Sequence, residues 1–370
     1  MPKKTSIFIA ATGQNVGKTT LCLGLLSGLK KRFPSVGFIK PLGQQHVRIN
    51  ENTIVDKDVV LFKEHFQLQA EWRDMSPVIL PAGFTRDYLD EKITEKELQQ
   101  KIIDSFQKIS EKNSYTVVEG TGHVGVGSIV NLNNAKVAAS LNLEMVIIAS
   151  GGLGSAFDEL SMNIALCQLY NVPIRGVILN RVIDAKREMI LDYFPKALKK
   201  WNIPLIGCVP YDEFLNTPVM KDFEVLFNTT LIAGEKHRYR HFQHSRLVAG
   251  SLQAYRDEII PNELIITPAS REDIIIATLD KYLGVSKVEG KDFQGGMILT
   301  GRHAPTKEII AYIKRFDVPV LYAPLCSYDA MKIITSYTAK TRNEDTLKVE
   351  KAIQLVEENV DFDLLISDTD

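Results

Sequence analysis

The chain has 370 residues, 45% of them hydrophobic and 24% charged, with a formal net charge of -1. This is too long for one ordinary domain and rich enough in apolar residues to bury a sizeable core, so two globular domains are expected. Nothing in the near-neutral balance argues for a nucleic-acid or anionic-membrane partner, and none is expected; no apolar run reaches the roughly 18 residues needed to span a bilayer.

The opening "MPKKTSIFIAATG" has the lysines and apolar residues of a weak signal peptide, but the apolar run stops at Ala11 and a glycine-bearing loop follows at once. It therefore reads as a first core strand. Further strands are predicted at "SVGFIK", "YTVVEG", "EMVIIAS", "IRGVILN" and "IPLIGCV". All are apolar on both faces, as parallel strands covered on two sides must be. Between them, "TTLCLGLLSGLKKRF", "TEKELQQKIIDSFQKISEK", "AFDELSMNIALCQLY" and "AKREMILDYFPKALKKW" repeat apolar residues three and four apart, predicting helices with one buried stripe. The alternation predicts an α/β fold with a doubly wound parallel sheet, its site built from loops at the carboxyl ends of the strands.

Beyond "CVPYDEFLNTPVM" the character changes. "KHRYRHFQHSR" gathers Lys236, Arg238, Arg240 and Arg246 among histidines, and is read as a solvated entry to a new domain in preference to an anion-binding patch. A shorter βα series then predicts a smaller α/β domain. The expected boundaries are 1–215, 216–345, and a C-terminal amphipathic helix and tail over 346–370, the helix packing on the second domain or at an oligomer contact. Cys22, Cys167, Cys208 and Cys326 are far apart and lack metal or redox spacing, which suits free thiols in the cytoplasm.

The chemistry is concentrated at predicted strand ends. After the first strand comes Thr12-Gly13-Gln14-Asn15-Val16-Gly17-Lys18-Thr19-Thr20, then a helix. Backbone N–H groups of such a turn, with the helix start behind them, form an anion cradle. Lys18 would reach the β- and γ-phosphates and the Thr19 hydroxyl would bind Mg²⁺. The strict phosphate-loop pattern wants a glycine where Thr12 stands; Gly13, one step late, is expected to lend the loop freedom. Lys40 ends the second strand, either solvated or placed to neutralise a transferring phosphoryl group. Glu119 ends "YTVVEG" as a candidate Mg²⁺ ligand or a hydrogen-bonded cap. Asp56 and Asp58 precede a helix, where either would serve as N-cap and Asp58 equally as a metal ligand. Asn180 closes its strand, facing either an adenine edge or the backbone of its own turn.

Together these residues resemble the dethiobiotin synthetase type of P-loop protein. That family's variant loop has its first glycine one place earlier, at Ala11 here, while Thr12, Val16, Gly17, Lys18 and Thr19 match. Lys40-Pro41, Asp58, Glu119 to Gly122, Asn180, and Gly207 to Pro210 match its later motifs in order. "LIITPASREDIIIATL", "GMILTGRHAPTKEII" and "VPVLYAPLCSYDAMKII" are similar to the DRTGG domain, with Ala269-Ser270-Arg271 where that family usually has Gly-Asp-Arg. The two domains in this order resemble the N-terminal region of long phosphotransacetylases, in free-standing form.

The resemblance implies ATP and Mg²⁺ as cofactors, Lys18 and Lys40 as catalytic residues, Thr19, Asp58 and Glu119 on the metal, and residues 12–20 with Asn180 on the nucleotide. It also implies an unidentified small-molecule ligand and a homodimer. Two functions follow: an ATPase with a metabolite-sensing or regulatory role, or an ATP-dependent ligase that phosphorylates a carboxylate or carbamate. "KPLGQQHVR" lacks the small hydroxyl residue and glycine with which dethiobiotin synthetases receive their substrate, which favours the regulator. Glutamine-dependent amidation is disfavoured, because neither Cys208 nor Cys326 stands on a glycine-flanked nucleophile turn.

Overall fold

The computed structural model describes residues 5–289 and 292–367; the expectations that touch residues 1–4 and 368–370 lie outside them. The chain divides into two compact units, Met1–Asp212 with Thr341–Asp370, and Glu213–Lys340. Among the described residues no helix is long and apolar enough to cross a membrane.

The first unit is built on a six-stranded sheet. Its order across the sheet is Leu205–Pro210, Ile174–Val182, Met145–Ser150, Thr5–Ala11, Tyr115–His123, Val36–Ile39. Every pairing is parallel. All six predicted strands are present, and the apolar runs that announced them are buried on both faces. The chain steps outward from the Thr5–Ala11 strand in one direction, returns, and then crosses to the other side. Its loops therefore part at that strand, opening the crevice in which doubly wound sheets carry their sites.

The helix after the first strand, Lys18–Lys30, is buried nearly all round rather than along one stripe. Its outer face is covered by the C-terminal helix Thr346–Asn359, which was expected on the second domain or at an oligomer contact and belongs instead to the first unit. The cause is a pair of glycines one turn apart. A Cβ at Gly24 would lie 2.2 Å from the Val356 side chain, and one at Gly28 would lie 2.2 Å from the Phe362 ring. Only a bare backbone lets the two elements approach so closely. Ser27 then donates to Glu357 at 2.8 Å, and Val360 makes an antiparallel bridge to Gly207 on the edge strand.

The second unit has a five-stranded sheet in the order Leu231–Ala233, Val320–Ala323, Gly296–Thr300, Glu263–Pro268, His244–Leu247, with only the first strand antiparallel. Alternate residues feed two cores. Ile265, Met297, Leu299 and Val320 enter one; Leu264, Ile266, Ile298 and Leu321 enter the other. Helices therefore cover both faces of this sheet too. The basic segment before it is neutralised within the unit: Lys236 pairs with Asp317, Arg238 with Glu224, Arg240 with Asp292, and Arg246 with Glu258 and Glu263. Those cations pair with the unit's own carboxylates, and the Arg240 side chain is only 9% exposed rather than solvated as expected.

Candidate functional site

The loop of residues 12–17 leaves the first strand where the sheet order reverses. Its two left-handed positions are Asn15 (φ 58°) and Gly17 (φ 92°). The expected freedom at Gly13 is not used, since its φ is not left-handed and an added Cβ would make only ordinary contact with Val16, at 3.5 Å. Asparagine tolerates that conformation, and Gly17 needs it for a second reason: a Cβ there would stand 2.3 Å from the Asn180 amide nitrogen. Asn180 donates from this nitrogen to the Val16 carbonyl, at 2.7 Å. In this structure its amide thus holds the loop's backbone, one of the two roles the sequence leaves open.

Thr12, the residue in place of the usual glycine, is buried and tied down. Its N–H donates to the Ile148 carbonyl at 2.8 Å, and its hydroxyl donates to Glu159 at 3.2 Å. Asn163, one helical turn beyond Glu159 on the Gly154–Leu169 helix, donates to the Thr12 carbonyl at 3.3 Å and accepts from the Val124 N–H at 3.0 Å. This one buried amide bridges the phosphate loop and the glycine-rich loop after Glu119. Asn134 braces the latter further, donating to the Thr121 and His123 carbonyls and accepting from the Thr121 N–H. Glu159, Asn163 and Asn134 are site-building residues that the sequence reading missed. Asn163 carried a signal, being a polar residue in the buried stripe of "AFDELSMNIALCQLY".

The charged residues converge beneath this loop. Lys18 donates to the Gly122 carbonyl at 2.9 Å, and the Thr19 hydroxyl lies 3.5 Å from Glu119 Oε1. Lys40 is not solvated: it is buried, 3.5 Å from Glu119 and 3.2 Å from Asp56, and bonded to Asp58. Asp56 is the N-cap of the helix Lys57–Phe66, accepting from the Asp58 N–H at 3.0 Å, so the cap falls to Asp56 and Asp58 stands in the first turn. Thr20 lies inside the helix, and Gln44, Gln45 and His46 are exposed.

Electrostatically the group has more carboxylate than cation. Burial pushes the Glu119 carboxyl up to about 7 against the pull of Lys40, with Asp58 adding to the rise. Burial also lowers Lys18. The same burial pulls on Lys40, but Asp58, Glu119 and Asp56 outweigh it and hold its ammonium well above the ordinary lysine range. Glu119 is fully buried, yet its Oε2 has no hydrogen-bond partner among the described residues. An orphaned buried carboxylate oxygen beside a helix-start threonine fits a magnesium ligand. No group of three or more His, Cys, Asp or Glu among the described residues is arranged to enclose an ion.

A family of AAA domains matches residues 5–219. The chain belongs to this family. Its AAA domain is followed by a DRTGG domain, matched over residues 225–337. Phosphate acetyltransferase of Pseudomonas aeruginosa is 27% identical over 381 residues, covering 97% of this chain and 51% of that protein. The Pseudomonas putida enzyme is 26% identical over 373 residues, covering 96% and 50%. The chain therefore spans about half the length of these relatives. Over the AAA domain, the ATP-dependent dethiobiotin synthetase BioD of Nitrosopumilus maritimus is 25% identical across 212 residues, 56% of this chain and 89% of that one. Among solved structures, the MinD cell division protein of Aquifex aeolicus matches 57% of this chain and 84% of its own at 16% identity, with a TM-score of 0.35.

Proposed function

We propose that the chain binds Mg-ATP in its AAA domain and acts as a regulatory ATPase that responds to nucleotide and to a small-molecule effector, as a cytoplasmic homodimer. The observation that carries this reading is Glu119: a fully buried carboxylate with an unpartnered oxygen, at the strand ends where Lys18 and Thr19 also stand. In this reading the N–H groups of residues 12–20 receive the phosphates. Lys18 exchanges the Gly122 carbonyl for β- and γ-phosphate oxygens, and Thr19, Asp58 and Glu119 hold the metal. Bound magnesium supplies charge neutralisation and orientation of the phosphates. Lys40 offsets charge that develops on the γ-phosphoryl group, and Asn180 keeps its amide nitrogen on Val16 while its oxygen accepts from the adenine amino group. The retention of every charged member of this set supports nucleotide turnover as well as binding.

Thermal unfolding with Mg-ATP tests the reading. Ligand at 100 times its Kd stabilises the bound state by about 2.7 kcal/mol, and Lys18→Ala is expected to remove that gain. A shift that is absent, or equal in the variant, refutes the site. Mass spectrometry of products from ATP and a pool of cell metabolites then separates the regulator from a ligase: a new amide, ureido or acyl-phosphate product overturns the regulatory reading.

A further inference from the structure

The three carboxylates around Lys40 are not equivalent. Asp56 is committed to the backbone: one oxygen accepts from the Asp58 N–H at 3.0 Å, the other from the Gln45 N–H at 3.2 Å. Its own N–H donates to the Ser76 hydroxyl at 3.0 Å, and its side chain is 3% exposed. It cannot turn without uncapping a helix and stranding buried donors. Asp58 lies in the first turn of that helix with 28% of its side chain exposed, and Glu119 has an oxygen to spare. The Lys40 ammonium touches all three. It therefore bonds to the same two carboxylates that a divalent cation would need, and two cations in one small buried space repel strongly.

We propose that Lys40 is the resident counter-ion of the metal pocket and that Asp56 is its fixed anchor. A divalent cation displaces the ammonium from Asp58 and Glu119, while Asp56 retains it and positions it toward the bound nucleotide's terminal phosphate. Lysine and metal thus exchange over one pair of carboxylates, and the lysine becomes available to phosphate only once the metal is in. The inference rests on the proposed Mg-nucleotide site for the identity of the metal, and its test can be run without nucleotide.

Mn²⁺ binding to the full chain, followed by electron paramagnetic resonance in nucleotide-free buffer, reads the exchange directly. Lys40→Met is expected to bind Mn²⁺ at least tenfold more tightly than the wild type, and to melt lower than it until Mn²⁺ is added. Unchanged or weaker Mn²⁺ binding in Lys40→Met overturns the counter-ion role. Asp56→Asn keeps the cap's shape and removes its charge; Mn²⁺ affinity is expected to stay within about twofold of the wild type, while the preference for ATP over ADP falls. Loss of Mn²⁺ binding in Asp56→Asn makes Asp56 a ligand and overturns the anchor. Should Lys40→Met fail to fold, nitrogen-15 lysine spectra of the wild type decide. The Lys40 ammonium signal, identified by its absence in Lys40→Arg, must move on addition of Mg²⁺, and a signal that stays put refutes the exchange. If Mn²⁺ behaves as expected while Mg-ATP never stabilises the wild type, the nucleotide reading fails and the ion exchange stands.

Discussion

Both units carry a wholly or largely parallel sheet whose loops gather at the carboxyl ends of the strands, yet the two sets of strand ends differ in what they leave unsatisfied. In the AAA domain, Glu119 is fully buried with an oxygen lacking a partner, and three carboxylates share one ammonium. In the DRTGG domain, the matching position after the Glu263–Pro268 strand holds Arg271, which is fully engaged. It makes two 2.8 Å bonds to Asp273, and a third, of 2.9 Å, to the Gly250 carbonyl. At the next strand end, Thr300 and Ser327 satisfy each other at 2.7 Å. One set of loops holds more carboxylate than cation. The other is closed upon itself. Similar topology thus leaves a buried carboxylate oxygen unpartnered at the strand ends of one unit and paired polar groups at these strand ends of the other, and the difference lies in the pairing of charge rather than in the fold.

The sharpest way to break this contrast is through pH. Burial pushes the Glu119 carboxyl up to about 7 in the folded chain, above its ordinary 4.5. Its contribution to stability is therefore complete below the unfolded value and is lost as pH rises through 7. Denaturant unfolding of the metal-free protein between pH 4.5 and 8 is expected to show wild type losing about 3 kcal/mol relative to Glu119→Gln. A flat difference would mean that the oxygen is not frustrated.

Asn163→Leu strands the Val124 N–H and releases Thr12, and should cost about 1–3 kcal/mol of stability. Isothermal titration should also find weaker Mg-ATP binding, because the two loops no longer share a brace; equal affinity would show that the loops are held independently. Smallest is Arg271→Ala. Its partner Asp273 is exposed and the guanidinium only half-buried, so the loss should stay below about 1 kcal/mol in the melting curve, with Mg-ATP affinity unchanged. A large loss of nucleotide binding there would erase the distinction between the unpartnered and the paired strand ends.

What the sequence disclosed follows from how local each feature is. The strands and the phosphate loop are written in contiguous residues, and the charged site residues stand directly after apolar strands, so they could be placed without tertiary knowledge. Three things were not local. The burial of the first helix on both sides depends on Gly24 and Gly28 meeting Val356 and Phe362, and a glycine in a helix pattern looks like a weakness until its partner is known. Asn163 looks like an interruption of a stripe, since its partners, Thr12 and Val124, are distant in sequence. The nest around Lys40 depends on the short hairpin His46–Asn50 with Thr53–Asp56, which swings Asp56 back to the second strand and is too brief to announce itself by periodicity.

The helix pair at the back of the phosphate loop has a consequence for how the protein is made. The first helix leaves the ribosome early, but the residues that cover it, Val356 and Phe362, follow only after the whole DRTGG segment has been translated. At about 5–20 residues per second, that gap lasts on the order of tens of seconds. During this time the helix Lys18–Lys30 has an uncovered apolar flank, while the later segment already has all it needs to fold. The usual order, N-terminal domain first, is reversed: the middle of the chain can be finished before its beginning.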